Sequence, residues 1–406
     1  MPAMRTWIGC LGLLLLGPVP AAGDGTPMSM SPEQVQEVIL RVKPSAVLIE
    51  VTRRGEATVS CGQGPARTVP LPPRRTTGSG FVLHPDGYVA TNAHVLGLSA
   101  EDDAGAEAGG RIGEVVAKAC ADRLARLRPA EREAQIKTLA QRPENRRGIH
   151  VQRQVEVVFQ DGKTLPATVL AARPPALRRA PNGAPPPLSS GDVAILKVDR
   201  RDLVAAPLGQ TPVQIGDPVF AIGFPAVVLE HELLSPLSRQ APSVTLGRVS
   251  GFKLDLAEQE VIQTDAAVTW GNSGGPAFNA RGEVIGVAAF ISVGAGEGAN
   301  VQGFNFLIPA ERVTALAATL DLPPHAESLP GRRWQAAVRH FFAGQYDAAI
   351  VELEDILRDE PNAADARRLL AAARARPERG SSQWSHWMRE IQGEGMAGRR
   401  EKGAVQ

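Results

Sequence analysis

Short β-branched and apolar runs, separated by glycine and proline, recur along more than half of this chain. Two pairs of neighbouring runs flank Asp86-Gly87 and Asp161-Gly162, sequences typical of tight turns between antiparallel strands. Many short strands with this punctuation predict antiparallel barrels or sandwiches. The runs are 46–52, 81–83, 88–90, 155–159, 165–170, 193–198, 219–223, 244–249, 261–264, 284–290 and 304–308.

The length, charge and composition of the chain exclude several classes of protein. At 406 residues the chain is two to three times the usual domain size, which favours a main domain with an addition. Its 44 basic and 43 acidic side chains give a formal net charge of +1, which disfavours a dedicated nucleic-acid binder. With 43% apolar and 21% charged residues, the chain is neither wholly disordered nor a polytopic membrane protein.

Residues 1–23 have the pattern of a secretory signal peptide. Arg5 precedes an apolar run from Trp7 to Leu16, and small residues follow at positions 21–23. The run is shorter than the roughly 20 apolar residues that span a membrane. We therefore expect an exported protein, in the bacterial periplasm or, as the alternative, secreted. Cleavage of the signal peptide removes Arg5 and leaves the mature chain with a formal net charge of zero.

Two cysteines lie beyond the signal peptide, Cys61 and Cys120. An exported chain reaches a compartment that permits disulfides, so one interpretation is that they pair. The other is that Cys120 is a small apolar residue, since it shares a helical face with Val116 and Leu124. Both interpretations stay open on the sequence alone.

Two stretches interrupt the strand pattern and have the composition of surface insertions. Residues 97–152 lack strand signals, show helical periodicity and carry many arginines, and residues 173–190 are rich in proline. The arginine clusters fit solvated helix faces better than a site for a partner or a membrane surface.

Beyond Leu322 the sequence changes to alanine, leucine, arginine and glutamate at helical spacing. Residues 331–376 resemble a tetratricopeptide repeat, with a turn at Gly344 and an end at Pro361. A generic helical hairpin is the alternative. A free-standing array needs three or more repeats, so this unit is expected to pack on the main domain or to bind a protein partner. The tail, 377–406, is polar and is expected to be flexible.

Three segments carry the elements of nucleophilic catalysis: Thr91-Asn-Ala-His-Val95, Gly191-Asp-Val-Ala-Ile-Leu196 and Gly271-Asn-Ser-Gly-Gly-Pro276. A serine hydroxyl is a poor nucleophile at neutral pH and needs a base, which in turn needs a carboxylate to orient it. His94, Asp192 and Ser273 can fill these roles. The glycines around the serine allow a tight turn whose N–H groups point at one place. We expect Gly271 and Ser273 to supply the oxyanion donors.

These segments resemble the HtrA (Deg) family of trypsin-like serine proteases. The resemblance implies a mainly β fold, a trypsin-like double β-barrel over residues 31–322, with a helical insertion and a small helical carboxy-terminal region. It also implies an ATP-independent serine endopeptidase that cleaves unfolded or misfolded proteins. The matching segments are Gly78-Ser-Gly-Phe81, Asp86-Gly-Tyr88, Thr91 to Val95, Gly216-Asp217, Ala221-Ile-Gly223, Val261 to Ala267, Gly271 to Pro276 and Gly303 to Pro309.

Alignment on the serine also predicts a substrate pocket. Ala267 occupies the pocket-base position where relatives that cleave after basic residues carry an acid, so a substrate Lys or Arg is not expected there. A small or medium aliphatic residue fits best, and the strand from Ala289 to Ile291 offers an edge to the substrate. The residues expected to bind substrate are Ala267, Val268, Thr269, Trp270, Ala289, Phe290 and Ile291.

The chain departs from its family in three ways. Ala289 stands where many relatives have a hydroxyl that steadies the catalytic aspartate, 98 residues separate His94 from Asp192, and no PDZ-like module follows. Relatives often form trimers through the amino-terminal segment, but here that segment is short, which weakens the expectation of a homo-oligomer. A rival hypothesis is a catalytically vestigial scaffold that binds a partner through its carboxy-terminal helices. The histidines and cysteines form no metal-binding pattern, and no cofactor is expected.

Overall fold

The computed structural model describes residues 30–62, 64–98, 104–174, 191–236, 241–255, 257–293, 300–323 and 326–376. The predicted signal peptide, most of the second predicted insertion and the predicted flexible tail lie outside these residues.

Twelve strands of the described residues form two closed antiparallel barrels. The strand order is β1-β2-β3-β6-β5-β4 in the first and β10-β11-β12-β9-β8-β7 in the second. This confirms the predicted trypsin-like double β-barrel. The strands are β1 Ala46–Val59, β2 Arg67–His84, β3 Tyr88–Thr91, β4 Ile149–Val158, β5 Thr164–Arg173, β6 Val193–Val198, β7 Pro218–Gly223, β8 Ser243–Leu254, β9 Glu260–Thr264, β10 Pro276–Phe278, β11 Val284–Val293 and β12 Asn300–Pro309.

Successive side chains of a strand point to opposite faces, and this alternation produces three apolar cores, one inside each barrel and one between them. In β1, for example, Val47 and Ile49 point into the first barrel, whereas Ala46 and Leu48 point toward the second. The second barrel has its own interior, which includes Val219. The core between the barrels joins residues of both and holds them in fixed relation, which matters because candidate site residues come from each barrel.

Helices surround the barrels. Ser31 starts the first of them, where its hydroxyl accepts the N–H of Gln34 and the Gln34 side chain accepts the N–H of Ser31. The helices are α1 Pro32–Val42, α2 Ala104–Ala119, α3 Ala121–Leu124, α4 Pro129–Ala140, α5 Pro143–Arg147, α6 Ala226–Leu229, α7 Ala310–Ala318, α8 Leu329–Ala343, α9 Tyr346–Asp359 and α10 Ala364–Arg374, with short 3-10 helices at Lys43–Ser45 and His94–Leu96.

The insertion after His94 packs on an arm of the first barrel. β1 and β2 run well beyond the barrel as a paired arm, with register Val59↔Arg67 at its tip, and β4 joins the arm from Ile149 onward. Helices α2 to α4 share an apolar core with this arm, in which Val116 and Val59 are buried. In α5, the Asn145 side chain bonds the backbone of Ser60. A disulfide joins Cys61 beyond the arm to Cys120 at the end of α2.

The carboxy-terminal helices form a further unit. Ser328 caps α8, Gly344 ends it in the left-handed conformation, and α9 ends before Pro361. Trp334 and Phe341 are buried in a core made by α8, α9 and α10. Three helices are seen, and the tetratricopeptide assignment stays a prediction.

The main domain and α1 supply the surface that this unit was predicted to need. Trp334 Nε1 donates to the Leu40 carbonyl at 2.7 Å, and the Gln335 side-chain amide donates to the Arg41 carbonyl at 3.0 Å. Both acceptors belong to the last turn of α1, where a helix leaves its carbonyls without internal partners. α8 therefore caps the carboxyl end of α1.

Ion pairs also join the carboxy-terminal unit to the rest of the molecule. Arg200, which follows β6, contacts Asp161 at 2.9 Å and Glu360 at 3.0 Å. Lys43 contacts Asp365 at 2.8 Å. The unit thus lies against the first barrel. None of the helices in the described ranges is long and apolar enough to cross a bilayer.

Candidate active site

His94 and Asp192 meet because their strands are neighbours in the first barrel. His94 follows β3, Asp192 precedes β6, and these strands pair with Thr91 opposite Ala194. The His94 Nδ1 atom lies 2.7 Å from Asp192 Oδ2, and the His94 backbone N–H donates to Oδ1 at 3.0 Å. One histidine thus occupies both oxygens of the carboxylate.

The local backbone fixes this carboxylate. Asp192 has a φ of 50°, a left-handed conformation that is costly for a residue other than glycine. The Asn92 side-chain amide donates to the Asp192 carbonyl at 2.7 Å and supports that turn. The Asp192 side chain is only 9% exposed, so its interaction with the imidazole is weakly screened by water. The two hydrogen bonds with His94 orient the carboxylate.

Ser273 lies on a tight turn before β10 in the second barrel. Its carbonyl accepts the backbone N–H of Ser79 from β2 at 2.7 Å, which ties the turn to the first barrel. Its hydroxyl donates to the Ala289 carbonyl at 3.1 Å. Within the described residues, that hydroxyl forms no hydrogen bond with His94.

The turn presents two backbone donors. Gly271 has a φ of 94°, and the Trp270 carbonyl is turned away to accept the Ala226 N–H at 2.8 Å. Among the described residues, the N–H groups of Gly271 and Ser273 donate to no protein acceptor. Two unpaired N–H groups on one turn can receive an oxygen that carries negative charge.

The predicted pocket lies directly before this turn in sequence. Val268 is buried, Ala267 is exposed, and Trp270 is 64% exposed. Side chains of neighbouring strands hold the backbone of the wall: Thr245 donates to the Ala267 carbonyl at 2.7 Å, and the Asn305 amide donates to the Ala266 carbonyl at 2.8 Å. No acid stands at Ala267.

The predicted substrate edge lies on β11. On one side of β11, pairing with β10 ends at Val287. On the other side of β11, pairing with β12 continues beyond Val287. The backbone from Ala289 to Ile291 therefore has no β10 partner. Ala289 is buried, and the side chains of Phe290 and Ile291 lie outside the described set.

Comparison with known proteins agrees with this geometry. The family model of the trypsin-like peptidase domain matches residues 78–287, which is just over half of the chain. The chain belongs to the trypsin-like peptidases.

Similar proteins within this peptidase family are of the HtrA kind. Serine protease HTRA2, mitochondrial, of Bos taurus is 28% identical over 283 residues, 69% of this chain and 41% of the relative. A probable periplasmic serine endoprotease DegP-like of Halomonas elongata is 29% identical over 255 residues, 60% and 36% of the two chains. Putative serine protease HhoA of Synechocystis is 28% identical over 319 residues, 75% and 60%. The peptidase therefore spans less than two thirds of the length of these relatives.

A solved structure of the HtrA-type protease AlgW with a decapeptide covers 70% of this peptidase and 67% of its own chain, at 20% identity and a TM-score of 0.42. The curated relatives support the sequence resemblance to HtrA/DegP-type serine proteases.

Sequence reasoning did not anticipate some polar residues of the peptidase site. The side chains of Ser79, Asn92 and Asn305 hold backbone carbonyls around the turns described above. The available signal was polarity in buried positions, because Ser79 stands in an apolar stretch of β2 and Asn92 follows β3. The described residues contain no cluster of three or more metal-ligating side chains.

Proposed function

We propose that this peptidase is an ATP-independent serine endopeptidase of the HtrA type that cleaves unfolded or misfolded proteins. The observation that carries the proposal is the His94 imidazole held against the buried Asp192 carboxylate, 2.7 Å from Nδ1 to Oδ2. The names of its relatives, serine protease and periplasmic serine endoprotease, support the same assignment.

In this mechanism Ser273 is the nucleophile and His94 the base. The Ser273 oxygen attacks the peptide carbonyl, its proton passes to Nε2 of His94, and Asp192 stabilises the imidazolium through Nδ1. For this step the hydroxyl first leaves the Ala289 carbonyl, to which it donates at 3.1 Å. His94 then gives the proton to the leaving amine, and water hydrolyses the acyl-enzyme by the same steps.

The negative charge that develops on the substrate oxygen is the second requirement. Gly271 N–H and Ser273 N–H are the proposed oxyanion donors, since other groups of the turn already have partners. Fixed donors stabilise the transition state without reorganisation, and removal of one such donor costs about 10²–10³ in kcat in serine proteases.

The proposed substrate side chain at P1, the residue before the cut bond, is small or medium and aliphatic. Ala267 carries no charge to pair with Lys or Arg, and buried Val268 contributes an apolar wall. The backbone of Ala289 to Ile291, free of β10, can pair with an extended substrate. An extended strand is available only from polypeptide that is unfolded at the cut site, which supports the proposed substrate class.

The proposed location is the periplasm. The pattern of residues 1–23 and the disulfide between Cys61 and Cys120 both fit an oxidising compartment outside the cytosol. The Halomonas relative is named as periplasmic.

A fluorophosphonate probe tests the proposal, because it reacts only with an activated serine. We expect labelling and cleavage of unfolded casein by the native protein, both lost in Ser273→Ala, and faster cleavage of peptides with Val or Ala at P1 than of matched Arg peptides. A native protein that is folded but takes no label under any condition would instead be the vestigial scaffold. Preference for Arg would contradict the assignment of Ala267.

A further inference from the structure

Ser79 connects the first barrel to the oxyanion turn of the second. It lies in β2 with none of its surface exposed. Its hydroxyl donates to the Gly271 carbonyl at 2.7 Å and accepts the N–H of Phe224 at 2.8 Å. A hydroxyl that both donates and accepts in a buried place fixes two backbone segments at once.

The backbone of Ser79 holds the same turn at a second point. Its N–H donates to the Ser273 carbonyl at 2.7 Å, and its own carbonyl accepts the Thr91 hydroxyl at 2.7 Å. The carbonyls of Gly271 and Ser273, the two residues proposed as oxyanion donors, are therefore both bound by this one residue.

The segment that Ser79 binds through Phe224 also orients the first donor. The donating N–H of Gly271 belongs to the peptide group whose carbonyl is that of Trp270, and this carbonyl accepts the N–H of Ala226 at 2.8 Å. The fit is close, since a Cβ on Gly271 would lie 2.5 Å from both the Phe224 oxygen and the Ala226 nitrogen. The peptide group between Trp270 and Gly271 thus depends on segment 224–226, which the Ser79 hydroxyl joins to the turn.

We propose that Ser79 is a positioning residue for the oxyanion hole, and that its hydroxyl sets the direction of the Gly271 N–H. The proposal rests on the serine peptidase function proposed above. Ser79 touches neither the substrate nor the reacting atoms; it acts through Gly271.

Such a role has a distinct kinetic consequence. The Gly271 N–H meets negative charge only once the tetrahedral intermediate forms, so its misdirection lowers kcat and leaves substrate binding unchanged. We expect Ser79→Ala to lower kcat by roughly 10- to 100-fold, less than the 10²–10³ for complete loss of a donor.

The test compares Ser79→Ala with Ser45→Ala. Ser45 is also fully buried, in the 3-10 helix that precedes β1, and its hydroxyl donates to the Val42 carbonyl at 2.7 Å. Active sites are counted by complete fluorophosphonate labelling, and peptide hydrolysis is expressed per labelled site. Per site, Ser79→Ala should lose kcat with KM within twofold of the native value, while Ser45→Ala keeps both.

A peptidyl trifluoromethyl ketone provides the second readout. The Ser273 oxygen adds to its carbonyl carbon, the proton passes to His94, and the former carbonyl oxygen carries the charge that the oxyanion hole binds. Its inhibition constant should rise in Ser79→Ala by the same factor by which kcat falls. A merely structural role would lower the number of labelled sites and leave this constant unchanged.

The outcomes separate the two proposals. A native protein that neither labels nor cleaves refutes the proposed function. An active native protein whose Ser79→Ala variant matches Ser45→Ala per site, or changes only KM, overturns the role of Ser79 alone. If Ser79→Ala does not fold, Ser79→Cys, with a weakly donating thiol of similar size, takes its place against Ser45→Cys, and equal kcat per site in that pair also overturns it.

Discussion

The two helical additions are attached to the barrels in different ways. Helices α2 to α4 share one apolar core with the arm of β1 and β2, and the Cys61–Cys120 disulfide ties them to it. Helices α8 to α10 bury their apolar faces mainly among themselves and meet the rest of the molecule largely through polar groups, as at Lys43 and Arg200.

This difference indicates which addition is a separable unit. The insertion completes its core only with strands of the first barrel, so its folding depends on the arm. The carboxy-terminal unit has an interior of its own and can open locally at lower cost to the barrels. None of the described residues of either addition belongs to the candidate site, which lies between the barrels.

The sharpest test of that division is a change at the site itself. His94→Ala removes the base, and we expect kcat to fall by about 10⁴-fold or more with the melting temperature nearly unchanged. Casein hydrolysis and thermal unfolding measure the two effects. Near-normal hydrolysis would show that the catalytic base lies elsewhere, and the two additions would then become candidates to supply it.

Next in size is the loss of Trp334 from the carboxy-terminal core. Trp334→Ala removes a buried indole and its bond to the Leu40 carbonyl, which should destabilise this unit by about 3–5 kcal/mol. Hydrogen exchange should rise in α8 to α10 while the barrels stay protected and Ser273 still labels. A chain that ends at Leu322 is the matched control, and it should also label.

Two results would show that the carboxy-terminal unit is part of the catalytic domain and not a separable unit. The barrels could lose protection together with α8, or the shortened chain could fold but take no label.

The disulfide offers the third test. Cys61→Ser combined with Cys120→Ser should cost about 2–4 kcal/mol and increase hydrogen exchange in α2 to α5. The shared apolar core remains, so the insertion should loosen without leaving the arm, and Ser273 labelling should change little. Unchanged exchange in these helices would mean that the apolar core alone holds them.

The smallest expected effect concerns Arg200, which pairs with Asp161 of the first barrel and with Glu360 of the carboxy-terminal unit. Burial favours the neutral form of Asp161, but hydrogen bonds from the Arg200 side chain and the Lys163 backbone, with the charges of both residues, outweigh this and hold the pKa of the Asp161 carboxyl below its ordinary value. Its contribution to the free energy of unfolding is therefore complete above the ordinary aspartate pKa of about 4 and is lost as the pH falls through the lower folded value.

Acid unfolding of the native protein and of Asp161→Asn measures this contribution. The two curves should differ at neutral pH and converge below about pH 4. Glu360→Gln serves as the comparison because Glu360, directly after α9, contacts the same guanidinium. Curves that stay parallel down to the acid limit would contradict the assigned sign.

The sequence predicted most of the fold because each short run has a clear period and clear ends. Val193 to Val198, for instance, was predicted as a strand and is β6. The arm could not be predicted, since its residues, such as Arg53 and Arg74, are polar and β-pairing there is set by the partner strand. β4 accordingly begins at Ile149, inside the stretch assigned from sequence to the insertion.

For the candidate site, the sequence predicted roles for His94, Asp192 and Ser273 from their motifs, whereas Ser79 stood out only as part of the matching segment Gly78-Ser-Gly-Phe81. Its role depends on a contact with Gly271 across 192 residues, which no local pattern records. Likewise, the carboxy-terminal unit was expected to pack on the main domain or on a partner, but only the structure shows that the Trp334 indole binds the end of α1.

The bonds from Ser79 to the turn at Gly271 and Ser273 have a consequence for the timing of synthesis. The proposed base is made roughly 180 residues before the nucleophile, which at about 5–20 residues per second is an interval of roughly 10–35 s. Asp192 follows about midway through that interval, and for its remainder the first barrel has His94 and Asp192 but neither Ser273 nor the two proposed oxyanion donors. In the proposed mechanism, a nascent chain therefore gains the means of cutting itself or its neighbours only when the second barrel has closed against the first.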